Sequence, residues 1–137
     1  DRNYTPGQSD QKLENLNQVI QLTKDLGLPL LGGTEMNSPG QKFVDDFASP
    51  ELAPHQAVFL RGSWILHAHS TLQRYAGMGY LSEWANNQFP DISAKNEFYA
   101  SFGESFSPRG DDRLKDSLNA EMGATEVRDL MTKVMSV

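Results

Sequence analysis

The sequence predicts a helix-rich α/β fold with one or two short strands and about six helices. Apolar residues recur at helical spacing along most of the chain, which favours helices. Residues 28–33 form a short apolar run bounded by glycines, and residues 64–66 form a second apolar run. A helix, a glycine stop and an apolar strand in succession make one step of an α/β unit.

The composition is typical of a globular protein with an acidic surface. The 137 residues include 12 Lys and Arg and 18 Asp and Glu, which gives a net charge of −6. This negative charge argues against nucleic acid as a partner. No run reaches the roughly 20 apolar residues that a membrane helix needs, so we expect no membrane association. The chain has no cysteine, which fits a reducing compartment, and we expect a cytoplasmic location.

Three regions follow one another along the chain. Residues 1–9 are polar and predict a loose tail, and the absence of an initial Met suggests a piece of a longer protein. Residues 10–85 form the α/β part, in which the pattern predicts a helix over residues 10–26, ended by Gly27, and a strand over residues 28–33. Residues 86–137 predict a helical C-terminal part without strands.

A carboxylate follows the first predicted strand directly. Glu35 stands between Gly32-Gly33 and a predicted short helix that Ser38 would cap and that would bury Phe43, Val44 and Phe47. Ligands and metals collect at the C-terminal ends of strands in α/β proteins, which makes Glu35 a candidate site residue. The alternative is an ordinary solvated loop residue, since most carboxylates lie at the surface.

Two histidines follow the second apolar run. If residues 63–69 form a strand, which we favour, His67 and His69 share one face and could reach one metal ion. The alternative is one continuous helix from Pro54 to Tyr75, weakened by Gly62, on which the two rings would lie about 200° apart and could not act together. Local packing of one histidine and exposure of the other is a further alternative.

The segments GTEMNSPGQKFVDDF and LRGSWILHAHSTLQRYAG resemble those of bacterial proteins related to the PHP family, and the likeness covers residues 27–85. PHP proteins are metal-dependent phosphoesterases built on a distorted β/α barrel. The resemblance implies that Glu35 bridges metal ions and that His69 or His67 is a further ligand. It also implies a divalent Zn, Mn or Fe ion in a longer parent protein, and phosphate-ester hydrolysis by metal-bound water.

The chain departs from the PHP pattern in its missing ligands. No His precedes Glu35 and none follows His69, so the opening HxH motif and the late Asp-x-His pair of the family are absent. The resemblance therefore implies the C-terminal part of a PHP-type barrel, inactive by itself and holding no metal or only a weak one. Its first partner would be the missing N-terminal part of the same protein. Arg74 and Asn37 are the candidate contacts to substrate phosphate.

The C-terminal part carries three apolar stripes, which are Phe98/Phe102/Phe106, Leu114/Leu118/Met122 and Val127/Leu130/Met131/Val134. Helices this short are marginal in water unless they pack, so the stripes must pack on one another, on the N-terminal helix or on a second copy of the chain. We expect self-association, with a two-fold homodimer as the commonest solution. The alternative to an enzyme is a helical interaction module without catalysis, which would expose the phenylalanine stripe.

Overall fold

Six α-helices and one 3-10 helix form the regular structure of the described residues. The computed structural model describes residues 9–34, 39–40, 43–105 and 111–135. The helices are α1 (Ser9–Asp25), a 3-10 turn (Ala53–His55), α2 (Gln56–Ala76), α3 (Glu83–Gln88), α4 (Ile92–Ser105), α5 (Asp111–Ser117) and α6 (Ala124–Met135). The prediction of a helix-rich chain is confirmed, and no described helix is both long and apolar enough to cross a membrane.

The chain divides into two compact units. Unit 1 is Asp1–Leu60 and unit 2 is Arg61–Val137, so α2 begins in the first and ends in the second. Unit 2 contains the described parts of α3 to α6, and within it α6 packs against both α4 and α5.

Helix α1 ends where the sequence predicts. Gly27 adopts a φ of 65°, which a side chain would disfavour. Its N–H donates to the carbonyl of Lys24 at 3.1 Å, and the N–H of Leu28 donates to that of Thr23 at 2.8 Å. These two bonds are the Schellman motif, which satisfies the last carbonyls of a helix. The predicted helix and its glycine stop are therefore confirmed.

The predicted strand over residues 28–33 is wrong. Residues 28–34 are irregular, and the side chains of Leu28 and Leu31 are about half exposed, at 52% and 45%. A strand needs a neighbour to complete its backbone hydrogen bonds, and none of the described residues forms a strand beside this segment. The apolar run therefore remains an irregular segment.

The predicted helix after Ser38 is also wrong within the described residues, although Ser38 itself lies outside them. Residues 43–48 form bends and turns, and Phe43 and Val44 are 81% and 64% exposed. The N–H of Asp45 donates to the hydroxyl of Thr34 at 3.0 Å, rather than to a carbonyl one turn earlier. This bond between residues eleven positions apart fixes an irregular backbone at Asp45, where the local pattern favours a helix.

The predicted strand over residues 63–69 is wrong as well, and the alternative of one continuous helix is correct. Within α2, Ile65, Ala68 and Leu72 are all buried. Their i, i+3, i+7 spacing is that of one helix face, and the burial of this face outweighs the roughly 1 kcal/mol that Gly62 costs.

The apolar stripes of the C-terminal part meet in the core of unit 2. Phe98 and Phe102 of α4 are only 1% and 4% exposed. The prediction that an interaction module would expose the phenylalanine stripe is therefore wrong for these two residues. Phe106 lies outside the described residues. From the other two stripes, Leu114, Leu118, Val127 and Met131 are buried in the same core. The buried residues of these stripes are not available for self-association. The homodimer stays a prediction, but these residues cannot form its interface.

Helices α2 and α4 approach so closely that their backbones nearly touch. A Cβ atom at Gly103 of α4 would overlap the carbonyl oxygen of Trp64 in α2 and lie 2.6 Å from its carbonyl carbon. Real Cβ contacts are never that short, so the packing of these two helices requires a glycine at this position.

Buried Tyr99 and partly buried Tyr80 lie side by side in unit 2, with ring centres 5.1 Å apart. Tyr99 is fully buried and its hydroxyl donates to the carbonyl of Met78 at 2.6 Å, while the hydroxyl of Tyr80 donates to Asn96 at 2.6 Å. Burial raises the pKa of both phenols, and for Tyr99 the neighbouring Tyr80 raises the pKa further.

The stability of unit 2 should therefore fall in alkaline solution. A phenol whose pKa is raised on folding stays neutral in the folded state while it ionises in the unfolded chain, so the unfolded state is favoured above the ordinary value of 10.0. We expect the free energy of unfolding, measured in urea from about pH 8 to about pH 11, to decline mainly above about pH 10. The free energy of unfolding of Tyr99→Phe should decline less steeply with pH than that of the unmodified protein. Equal slopes for the two proteins would contradict this account.

Candidate functional site

The sequence-predicted site residues do not come together within the described residues. Glu35 and Asn37 lie outside the described residues, and their roles stay predictions. His67, His69 and Arg74 all lie on α2, with Arg74 exposed in its last turn. Among the described residues, no group of three His, Asp or Glu side chains could hold a metal ion.

The expectation that His67 and His69 share a face is wrong, because they lie on a helix. Two positions along a helix turn the side chain by about 200°, so the rings point away from each other. His67 is exposed, whereas His69 is partly buried. The pair cannot chelate one ion in this conformation.

His69 instead binds the loop that follows α2. Its Nδ1 accepts a hydrogen bond from the backbone N–H of Tyr80 at 2.9 Å, and Gln73, one turn later, accepts one from the N–H of Gly79 at 3.1 Å. A neutral imidazole that accepts at Nδ1 carries its proton on Nε2 and has no lone pair left for a metal. The arrangement therefore fits a structural histidine better than a ligand.

Replacing His69 should weaken unit 2 through this loop. His69→Ala leaves the N–H of Tyr80 without its acceptor, and we expect a loss of about 1–2 kcal/mol in the free energy of unfolding. His69→Asn places an oxygen near the position of Nδ1 and should recover at least half of that loss. Urea unfolding followed by far-UV circular dichroism measures both variants, and identical losses would show that the hydrogen bond contributes nothing.

A cavity lies in unit 1, lined by described residues. It has a volume of about 290 Å³ and opens to solvent. Its apolar walls come from α1, from the irregular segment after it, and from two phenylalanines. The rings of these phenylalanines lie edge to face, with their centres 5.9 Å apart. These walls include Leu16, Val19, Leu30, Leu31, Phe47 and Phe59.

One carboxylate lies in the lining of this otherwise apolar cavity. Asp45 is partly buried, and its Oδ2 accepts a hydrogen bond from the hydroxyl of Thr34 at 2.8 Å. The same hydroxyl accepts the N–H of Asp45, so the two residues fix each other's orientation. Sequence analysis missed the site, because Thr34 and Asp45 are eleven positions apart and no local pattern links them.

The chain was compared with known proteins at three levels. No protein-family model matches it, and neither a curated protein nor a solved structure does. The resemblance of residues 27–85 to PHP proteins therefore stays a prediction.

Proposed function

We propose that the chain is part of a PHP-like metal-dependent phosphoesterase and that it hydrolyses nothing by itself. What supports the proposal is the pattern over residues 27–85, in which Glu35 takes the place of the metal-bridging glutamate. The described residues do not fit a metal ion, since His67 and His69 diverge and His69 already accepts a hydrogen bond. In this proposal the remaining ligands belong to the rest of the parent protein.

The observation that supports a missing partner in this proposal is the exposure of apolar side chains before and after Glu35 in the sequence. Leu28 before it is 52% exposed, and Phe43 and Val44 after it are 81% and 64% exposed. Phe43 and Val44 are adjacent, and exposed apolar side chains that form a patch mark interaction sites. We propose that the N-terminal part of the same protein covers them.

The first experiment tests the chain alone. Mn²⁺ and Zn²⁺ are titrated into it by calorimetry, and hydrolysis of p-nitrophenyl phosphate is followed with each metal present. We expect weak metal binding and no turnover, because few ligands without supporting contacts do not hold a catalytic ion. Turnover by the isolated chain would overturn the proposal that its activity needs the rest of the parent.

The second experiment uses the longer gene product that the proposal requires. Glu35→Gln keeps the shape of the side chain but removes the charge, and we expect kcat for p-nitrophenyl phosphate to fall by about 100-fold or more. Glu83→Gln is the matched control, since Glu83 is an exposed carboxylate in the first turn of α3. Full activity of Glu35→Gln would overturn the assignment of Glu35 as a ligand.

A helical interaction module without catalysis is the second candidate, and one feature of α1 favours it. Val19 and Leu22 of α1 and Leu26, directly after its end, recur at i, i+3 and i+7 and are each about half exposed, at 48%, 57% and 54%. Such a stripe is the pattern by which an amphipathic helix enters a partner's groove. This candidate predicts that Glu35→Gln changes nothing, whereas the phosphoesterase proposal predicts loss of activity.

A further inference from the structure

We propose that the cavity of unit 1 binds a small organic cation, an ammonium group carried on an apolar body. In this proposal, Asp45 pairs with the ammonium group, and the apolar body lies against Phe47 and Phe59. The site is independent of the phosphoesterase proposal, because neither Glu35 nor any histidine contributes to it.

The charge of the ligand follows from Asp45. Asp45 is partly buried in a lining of mostly apolar side chains, and a carboxylate there attracts a cation or another hydrogen-bond donor. Within the described residues, the Thr34 hydroxyl is the donor that reaches it, whereas a carboxylate has acceptor sites for about four hydrogen bonds. An ammonium group can donate to the remaining sites through strong charge-assisted bonds, and a negatively charged ligand would be repelled. The net charge of −6 also favours approach of a cation.

The apolar body follows from the walls and the volume. An apolar cavity of about 150 Å³ holds benzene, so a cavity of about 290 Å³ has room for a ring with a short ammonium-bearing arm. The rings of Phe47 and Phe59 lie edge to face. Aromatic rings of this kind contact a further ring favourably and also attract a cation held near their faces.

Two neighbouring glycines shape the cavity in different ways. A Cβ atom at Gly32 would lie 3.2 Å from the Phe47 ring and 3.4 Å from that of Phe59, so Gly32 lets the backbone lie against both rings. At Gly33, which also lines the cavity, a Cβ atom would meet none of the described residues within 4 Å. A side chain at residue 33 would therefore begin in open space at the lining of the cavity.

The binding experiment compares two probes of one shape, benzylammonium and the neutral benzyl alcohol. Each is titrated into the chain to about 10 mM, a concentration that reveals even millimolar affinity, and amide chemical shifts of Thr34, Gly33 and Asp45 are followed by NMR. We expect benzylammonium to bind at least about tenfold more tightly than benzyl alcohol. Equal affinities, or no binding of either probe, would overturn the proposal.

A matched pair of variants assigns the charge to one residue. Asp45→Asn keeps the acceptor for Thr34 but removes the charge. It should weaken the binding of benzylammonium at least about tenfold and leave the affinity for benzyl alcohol unchanged. Asp46→Asn removes an adjacent exposed charge and keeps the oxygen that accepts the N–H of Ala48, so it should leave both probes unchanged. Equal effects of the two variants would indicate diffuse attraction to an acidic surface and overturn the site.

A third variant tests the location without touching any charge. Gly33→Leu should fill the cavity and weaken the binding of both probes at least about tenfold. Far-UV circular dichroism checks that unit 1 stays folded. If Gly33→Leu unfolds unit 1, the effect of Asp45→Asn on benzylammonium binding decides whether the ligand lies in the cavity. Undiminished binding of benzylammonium to a folded Gly33→Leu protein would place the ligand elsewhere and overturn the proposal.

Discussion

Phe98→Ala should cost unit 2 about 4 kcal/mol, the range found when a buried phenylalanine is truncated. Phe98 is 1% exposed, and its ring centre lies 4.9 Å from that of Phe89, 5.3 Å from Tyr99 and 5.8 Å from Trp84. The guanidinium of Arg128 lies 5.4 Å from the same ring centre. The substitution therefore leaves a cavity among three aromatic rings and removes one cation–π contact.

Urea unfolding followed by tryptophan fluorescence measures this loss, because Trp64 and Trp84 both belong to unit 2. Leu81→Ala is the matched control: it truncates a large apolar side chain that is 81% exposed, and we expect a change within about 0.5 kcal/mol. A loss below about 1 kcal/mol for Phe98→Ala would mean that the aromatic cluster is not the centre of the core.

Gly103→Ala should have the second-largest effect, a loss of at least about 2 kcal/mol for the addition of one methyl group. Alanine is normally the better helix residue by about 0.5–1 kcal/mol, so the sign is opposite to the expectation from helix propensity alone. The reason is the carbonyl of Trp64, a backbone group that can move away only if α2 and α4 separate.

The control for this variant is Gly123→Ala, also in unit 2. A Cβ atom there would meet its nearest neighbour, the Glu126 carboxylate, at an ordinary 3.6 Å. Thermal unfolding should show a lowered Tm for Gly103→Ala and a nearly unchanged one for Gly123→Ala. An increased Tm for Gly103→Ala would mean that the two helices are further apart than the structure has them.

Features set by near neighbours in sequence were predictable. The stop of α1 at Gly27 depends on residues within five positions of it, and each of them is visible in the sequence. Burial of Phe98 and Phe102 on one face of α4 follows from their spacing of four.

Features set by distant residues were not predictable from one sequence. The irregular backbone at Asp45 depends on Thr34, and the residues next to Asp45 in sequence do not indicate this partner. In α2, Gly62 favours a break, whereas the buried face of Ile65, Ala68 and Leu72 favours a helix through it. Tertiary packing decided between these signals.

The same limitation applies to the cavity of unit 1. Its lining comes from α1, from the segment after it and from two phenylalanines twelve positions apart, and only the folded chain shows them side by side. The single visible signal is the pair Gly32-Gly33, which we interpreted as the end of a strand. The structure assigns the two glycines to the wall of a cavity.

The loop after α2 has a consequence for exchange of backbone hydrogens with solvent. Residues 77–82 contain two glycines and no helix, a composition typical of segments whose amides exchange within seconds. Yet the N–H groups of Met78, Gly79 and Tyr80 donate to Leu72, Gln73 and His69 in turn, and the hydroxyl of Tyr99 binds the carbonyl of Met78 from α4. These amides can open only when α2 and α4 release the loop, so in deuterated solvent they will exchange together with the helices, as members of one cooperative unit.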